Sequence, residues 1–178
     1  MQIHSGFALV DELLSGFASD LGDDFVAYRN HINRVLNVYL ALNGQLQPST
    51  AVLVAAAFHD LGIWTQRSFD YLKPSVDLAK NWLASQGLSE LEAEVDTIIT
   101  EHHKLSLYTG AHFASVEAFR QADLVDVSMG LIRFGLPGSY IRLVKQAFPS
   151  AGFHRKLLSL TINQFKRSPL RPLPMIHW

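Results

Sequence analysis

Four residues of this chain, His31, the adjacent pair His59-Asp60, and Asp123, are of the types that hold a hydrolytic divalent metal. Imidazole nitrogen and carboxylate oxygen suit such an ion, and three or four protein ligands leave coordination positions open for water and substrate. Each of the four lies on, or at the end of, an apolar stretch that reads as helix. A divalent cation among them would lower the pKa of a bound water and withdraw charge from a phosphoryl or carbonyl oxygen, which points to hydrolysis without a covalent enzyme intermediate. Mixed N/O donors select weakly among ions, so one Mn, Co, Ni, Fe, Zn or Mg ion is expected. His102 and His103, near the end of another helical stretch, are the expected catalytic residues, placed to orient the nucleophilic water or protonate a leaving oxygen. Arg34, Arg67, Lys73 and Lys104 are the cations that could hold phosphate. Of these, Arg34 and Lys104 are expected to bind substrate.

The competing account makes the four ligands two core histidines and two ion-paired or surface aspartates. It is disfavoured because the pair His59-Asp60 follows the apolar segment Val52 to Phe58 directly, and a buried carboxylate is costly unless paired, hydrogen-bonded or bound to a cation. His4, His112, His154 and His177 lack a neighbouring carboxylate pair and read as surface or locally hydrogen-bonded residues. Trp64, Phe69 and Tyr71 could line a pocket mouth, although core or loop packing is the favoured role.

The elements that must position these groups are helical. Phe25, Tyr28, Ile32, Val35, Leu36, Tyr39 and Leu42 recur at three- and four-residue steps, so a helix is expected over Phe25 to Leu42, with Gly44 after its end. Ser49 or Thr50 can cap a second helix from Ala51 to about Leu61, stopped by Gly62. Trp64 to Lys73 has no sustained period and reads as a loop before Pro74 or Ser75 opens a helix to Gln86. Ser89, paired with Glu92 in a capping box, can start a helix that runs to His102-His103. Further helices are expected at about Ser115 to Met129, Tyr140 to Ala147 and Phe153 to Lys166. No alternating strand pattern appears, so the expected fold is an all-α single domain of about seven or eight helices.

With 178 residues, 48% hydrophobic and 17% charged, the chain suits one compact domain, with a metal-binding core over 20–130 and a Pro-rich tail at 168–178. Its 15 basic and 16 acidic side chains leave no polyanion-binding bias, so nucleic acid is not an expected partner. The absence of cysteine removes disulfides, thiolate nucleophiles and thiolate metal sites. The longest apolar run, Ala51 to Phe58, is far short of the ~20 residues needed to cross a bilayer, and no signal-peptide order begins the chain, so a cytoplasmic location without membrane contact is expected. The tail could pack on a second subunit to give a homo-oligomer.

His31 with Arg34-Val35, then Ala57-Phe58-His59-Asp60-Leu61-Gly62, then Ala122-Asp123, in an all-helical chain, resembles the HD-domain superfamily of metal-dependent phosphohydrolases. The resemblance covers roughly Tyr28 to Val127. It implies packed helices around a divalent metal held by His31, His59, Asp60 and Asp123, and hydrolysis of a small phosphorylated molecule or nucleotide. Binuclear members add histidines between the pair and the last Asp, the first near the start of the following helix; Leu72-Lys73-Pro74-Ser75 stands there without one, although His102 and His103 could supply part of a second site. Alternatives are a di-iron oxygenase, a metal-dependent hydratase or lyase of the same fold, and a non-catalytic metal-binding domain.

Overall fold

The computed structural model describes residues 1–66, 70–167 and 175–176. Among them there is no strand, and eight helices of eight residues or more carry the architecture, joined by two shorter ones. In chain order they are α1 Ala8–Ser15, α2 Ala18–Leu21, α3 Phe25–Asn43, α4 Thr50–Phe58, α5 Gly62–Gln66, α6 Leu72–Ser85, α7 Glu92–Glu101, α8 Phe113–Val127, α9 Gly138–Ala147 and α10 Phe153–Arg167. The all-helical single bundle expected from the periodicity is the fold observed. No helix among the described residues is long and apolar enough to cross a membrane.

α3 is the axis of the bundle. From Asn30 to Leu40 every residue is buried, so its polar side chains must find partners inside the protein. They do so on its own backbone and on neighbouring elements. Asn33 Nδ2 donates to Arg29 O at 2.8 Å, Asn37 Nδ2 to Asn33 O at 2.8 Å, and Asn30 Nδ2 to Pro149 O at 2.8 Å. Gly44, at φ 69°, ends the helix in the left-handed region, and its N–H returns to Leu40 O. α8 packs along α3 as its principal partner, while α4 lies against α1 and α7. His31 on α3 and Asp123 on α8 are thereby brought face to face.

Local chemistry moves three boundaries away from the sequence expectation. Ser49 does cap α4, accepting from Val52 N at 3.3 Å, but the helix ends at Phe58 and Gly62 opens α5 rather than stopping α4. The reason is close approach: a Cβ on Gly62 would lie 2.5 Å from Tyr71 O and 2.9 Å from Ser75 Oγ. α6 begins at Leu72, before Pro74, which occupies the first turn where its missing N–H has no intrahelical partner to lose. The Ser89/Glu92 capping box does not form, because a 3₁₀ turn over Ser89–Leu91 shifts the cap of α7 to Leu91, with no side-chain cap bond. α1 and α2 had no counterpart in the sequence reading. The prolines of the tail, Pro169, Pro172 and Pro174, lie outside the described residues.

Candidate metal centre

Two histidines of the site are aimed by helix ends. His59 and His102 are the C-cap residues of α4 and α7, where the last carbonyls have no intrahelical N–H. His59 Nδ1 donates to Ala56 O at 2.8 Å and His102 Nδ1 to Ile99 O at 2.6 Å. Each bond fixes the tautomer and leaves the Nε2 lone pair pointing inward. The third ring, His31, is oriented from α8: its Nδ1 donates to Asp126 Oδ2 at 2.7 Å, so its Nε2 lone pair also points inward.

These lone pairs converge with the carboxylates. His31 Nε2 lies 3.0 Å from His59 Nε2, a separation at which two proton-free nitrogens repel unless a cation lies between them. Asp60 Oδ2 is 3.7 Å from His31 Nε2 and 3.4 Å from His59 Nε2. Asp123 Oδ1 is 3.5 Å and 3.9 Å from the same two atoms. Metal–ligand bonds of about 2.0–2.2 Å place neighbouring donors roughly 3.0–3.5 Å apart, so the donor spacing fits one first-row or magnesium-sized ion.

A second group shares the same carboxylates. Asp60 Oδ1 is 3.5 Å from His102 Nε2, and Asp123 Oδ2 is 3.7 Å from His103 Nδ1. His31, His59 and Asp60 form one set of donors able to hold an ion, and Asp60, His102 and His103 form another. Among the described residues, four buried side-chain polar atoms lack a hydrogen-bond partner, and three of them, Asp60 Oδ1, His102 Nε2 and Asp123 Oδ1, belong to this cluster. Orphaned buried polar atoms are expensive; a cation at the first group would satisfy Asp123 Oδ1, and one at the second would satisfy Asp60 Oδ1 and His102 Nε2.

The electrostatics agree with a competition between protons and a cation. Burial, aided by His102 and His31, pushes the His59 ring down to about 3, so it stays an unprotonated donor. Burial pushes the Asp123 carboxyl up to about 6, Asp60 and Asp126 adding to the push, while the imidazoles oppose it. Asp60 goes the other way: His59 and His102 overcome burial and hold it well below the usual carboxylate range. His102 is raised despite burial by its contacts with Asp60 and Asp123. Without metal, then, the cluster holds protons that an ion would displace.

Around the donors stands a shell that the sequence reading missed. Asp126, one turn beyond Asp123, takes His31 Nδ1–H and also both Arg34 Nε–H at 2.5 Å and Nη2–H at 2.8 Å. Burial would raise Asp126, but the bonds from His31 and Arg34 hold it below the usual carboxylate range. Its recognisable sign is Asp123-x-x-Asp126 opposite His31-x-x-Arg34, two one-turn spacings on facing helices. Phe153 stacks on His31 with ring centres 4.1 Å apart, and Phe119 meets His59 edge-on at 5.5 Å. Tyr28 O–H donates to Ala57 O at 3.1 Å and accepts from Asp60 N at 3.3 Å, fixing the turn that carries the His-Asp pair. Tyr71, 1% exposed, is hydrogen-bonded to Asp60 and lies 2.7 Å from His103 Nε2.

The structure sorts the remaining candidates. His31, His59, Asp60 and Asp123 are brought together as their types suggested. His102, expected as an acid or base and able to supply part of a second metal site, is 2% exposed and sits among the donors, while His103, more exposed, faces the adjoining cavity. Arg34 is a correction: it is 1% exposed, with its guanidinium spent on Asp126 and on Phe148 O at 3.0 Å, so it holds the scaffold and not a substrate phosphate. Lys104 lines the cavity. Lys73 pairs with Asp77 at the surface, at 2.6 Å. Trp64 packs on Tyr28 and donates to Asp24 Oδ2 at 2.9 Å, a core role. His154 is locally bonded, between Ser150 Oγ and Asp126 O, both at 2.9 Å. Arg67, Phe69 and His177 lie outside the described residues.

Comparison with protein-family models, with curated proteins and with solved structures found no match to this chain.

Proposed function

We propose that this chain is a metal-dependent hydrolase acting on a small phosphorylated molecule or nucleotide, a reading in keeping with its resemblance to the HD-domain phosphohydrolases. The observation that carries it is the convergence of the His31 and His59 lone pairs with Asp60 and Asp123 at the floor of a cavity. The donor set fits a divalent cation, which when bound supplies an acidified water and draws charge from a phosphoryl oxygen. His31, His59, Asp60 and Asp123 would hold it. His103 Nδ1, facing the cavity and with Nε2 against Tyr71, is placed to accept a hydrogen bond from the attacking water, since burial and His102 keep its ring unprotonated. Asp126 keeps His31 in the donor tautomer.

The test is phosphate release from a panel of phosphomonoesters and nucleotides by metal-loaded protein, with Asp123→Ala beside it. Metal-dependent release that is lost in the variant is the expected result; no release from any ester with any of Mn, Co, Ni, Fe, Zn or Mg would sink the assignment. A second reading rests on the second donor group, Asp60 with His102 and His103. On that reading Asp60, His102 and His103 would hold a second ion, which would bring the oxygenase alternative forward if both ions proved to be iron.

A further inference from the structure

The cavity above the donors, about 210 Å³, is unlike a nucleotide site. Its floor is Asp60, His103 and Asp123, but its walls are Ile63 of α5, Leu105 of the α7–α8 connection, Leu124 and Val127 of α8, Leu157 of α10 and Ile176. Beyond the donor cluster, the polar side chains among its described lining residues are those of Tyr71, Lys104 and Thr161, and Lys104 is the one cation. A nucleobase needs several placed donors and acceptors, because rejection and recognition of polar groups depend on pairing them. A di- or triphosphate needs several cations along its chain. Neither need is met by the described lining residues.

Resting on the hydrolase reading above, we propose that the substrate is a small phosphomonoester with an apolar body, its phosphoryl group at the donor cluster and its hydrocarbon part against the leucine and isoleucine walls. The volume sets the size: it lies below the ~300 Å³ at which drug-sized pockets begin. In the reaction the oxygen of water bonds to phosphorus, the phosphorus–oxygen bond to the body breaks, and a proton from that water reaches the departing alkoxide, leaving an alcohol and inorganic phosphate.

The experiment is phosphate release from n-alkyl phosphates, ethyl to octyl, alongside AMP and ATP, using the full chain loaded with Mn²⁺. Burial of each further CH₂ raises kcat/KM about threefold to fourfold until the cavity is full. AMP and ATP fall far below hexyl phosphate. Rates flat with chain length, or AMP turned over as well as hexyl phosphate, overturn the proposal while leaving the hydrolase reading intact. If no ester is cleaved, the hydrolase reading fails, and calorimetry with n-alkylphosphonates on the same Mn²⁺-loaded protein decides the cavity: affinity climbing with chain length supports an apolar-bodied anion, and no climb overturns it. Leu157→Asn is expected to flatten the dependence on chain length with bound metal unchanged; an unaltered slope contradicts the seating.

Discussion

Replacing Asp126 by Asn exchanges one oxygen for an NH₂ group at a carboxylate that serves two partners. Asp126 Oδ2 accepts from His31 Nδ1 at 2.7 Å and Arg34 Nη2 at 2.8 Å, and Oδ1 accepts from Arg34 Nε at 2.5 Å. If the amide oxygen takes the Oδ1 position, its NH₂ faces both His31 Nδ1 and Arg34 Nη2. His31 must then carry its proton on Nε2, directed at the donor cluster. If the oxygen takes the Oδ2 position, NH₂ faces Arg34 Nε–H and donor meets donor. Either way Arg34, with 2% of its side chain exposed, loses its counter-charge. Removing one partner of a buried pair costs about 3–5 kcal/mol. At ~2–4 °C per kcal/mol for a chain of this size, the thermal midpoint of the metal-free protein should fall by roughly 6–20 °C. Metal affinity should fall about 10–100-fold, the usual effect of losing the partner of a ligating histidine. Differential scanning calorimetry reads the first effect and titration calorimetry with Mn²⁺ the second. Arg34→Met separates them: it keeps the His31–Asp126 bond, so it should lower the midpoint and leave Mn²⁺ affinity nearly unchanged. Full affinity in folded Asp126→Asn would refute a role for the Asp126 charge in holding His31 as a donor, and a midpoint within ~2 °C of the parent would refute the buried pair.

Three further outcomes follow from the same geometry. Gly62→Ala should lose about 1–3 kcal/mol by overpacking, since the new Cβ would meet Tyr71 O at 2.5 Å, and a melt equal to the parent's would show that Tyr71 is not held there. Ser49→Ala should cost about 1 kcal/mol through the lost cap of α4, read in urea, with an unchanged midpoint counting against the cap. Metal binding should release protons as the pH falls, with the sign set by Asp123: its pKa is raised to about 6, so the stability it gives as a neutral group is present below its unfolded value and lost as pH rises through 6. Above that pH the metal-free protein carries an uncompensated carboxylate that an ion relieves. Below it the ion must displace the proton, so affinity should drop about tenfold per pH unit. Titrations in buffers of different ionisation enthalpy check this, and a pH-independent affinity between 5 and 8 would contradict it.

What could be read from the sequence was whatever depends on short spacing. The α3 stripe predicted a helix over Phe25 to Leu42, and the structure ends it at Asn43 for the reason Gly44 supplies. The four primary donors were legible because a His-Asp pair at the end of an apolar run has few stable fates other than a cation or a strong partner. Asp126 and Arg34 were not, because their roles rest on a contact between residues on facing helices, and either residue taken alone reads as a solvated charge. Gly62 read as a helix stop because its real constraint is the carbonyl of Tyr71, nine positions later and invisible to periodicity. α1 escaped because its buried residues, Val10, Leu13 and Leu14, span barely one face of an eight-residue helix.

Whether the converging donors bind a divalent cation is decided by elemental analysis of the purified protein beside Asp60→Asn. Asp60 faces both donor groups, with Oδ2 toward His31 and His59 and Oδ1 toward His102, so its substitution strikes every proposed ion at once. The expected result is stoichiometric metal that survives dialysis in the parent and is absent from a folded Asp60→Asn. A parent free of metal after incubation with each of Mn, Co, Ni, Fe, Zn and Mg, or a variant that keeps its full complement, would contradict it.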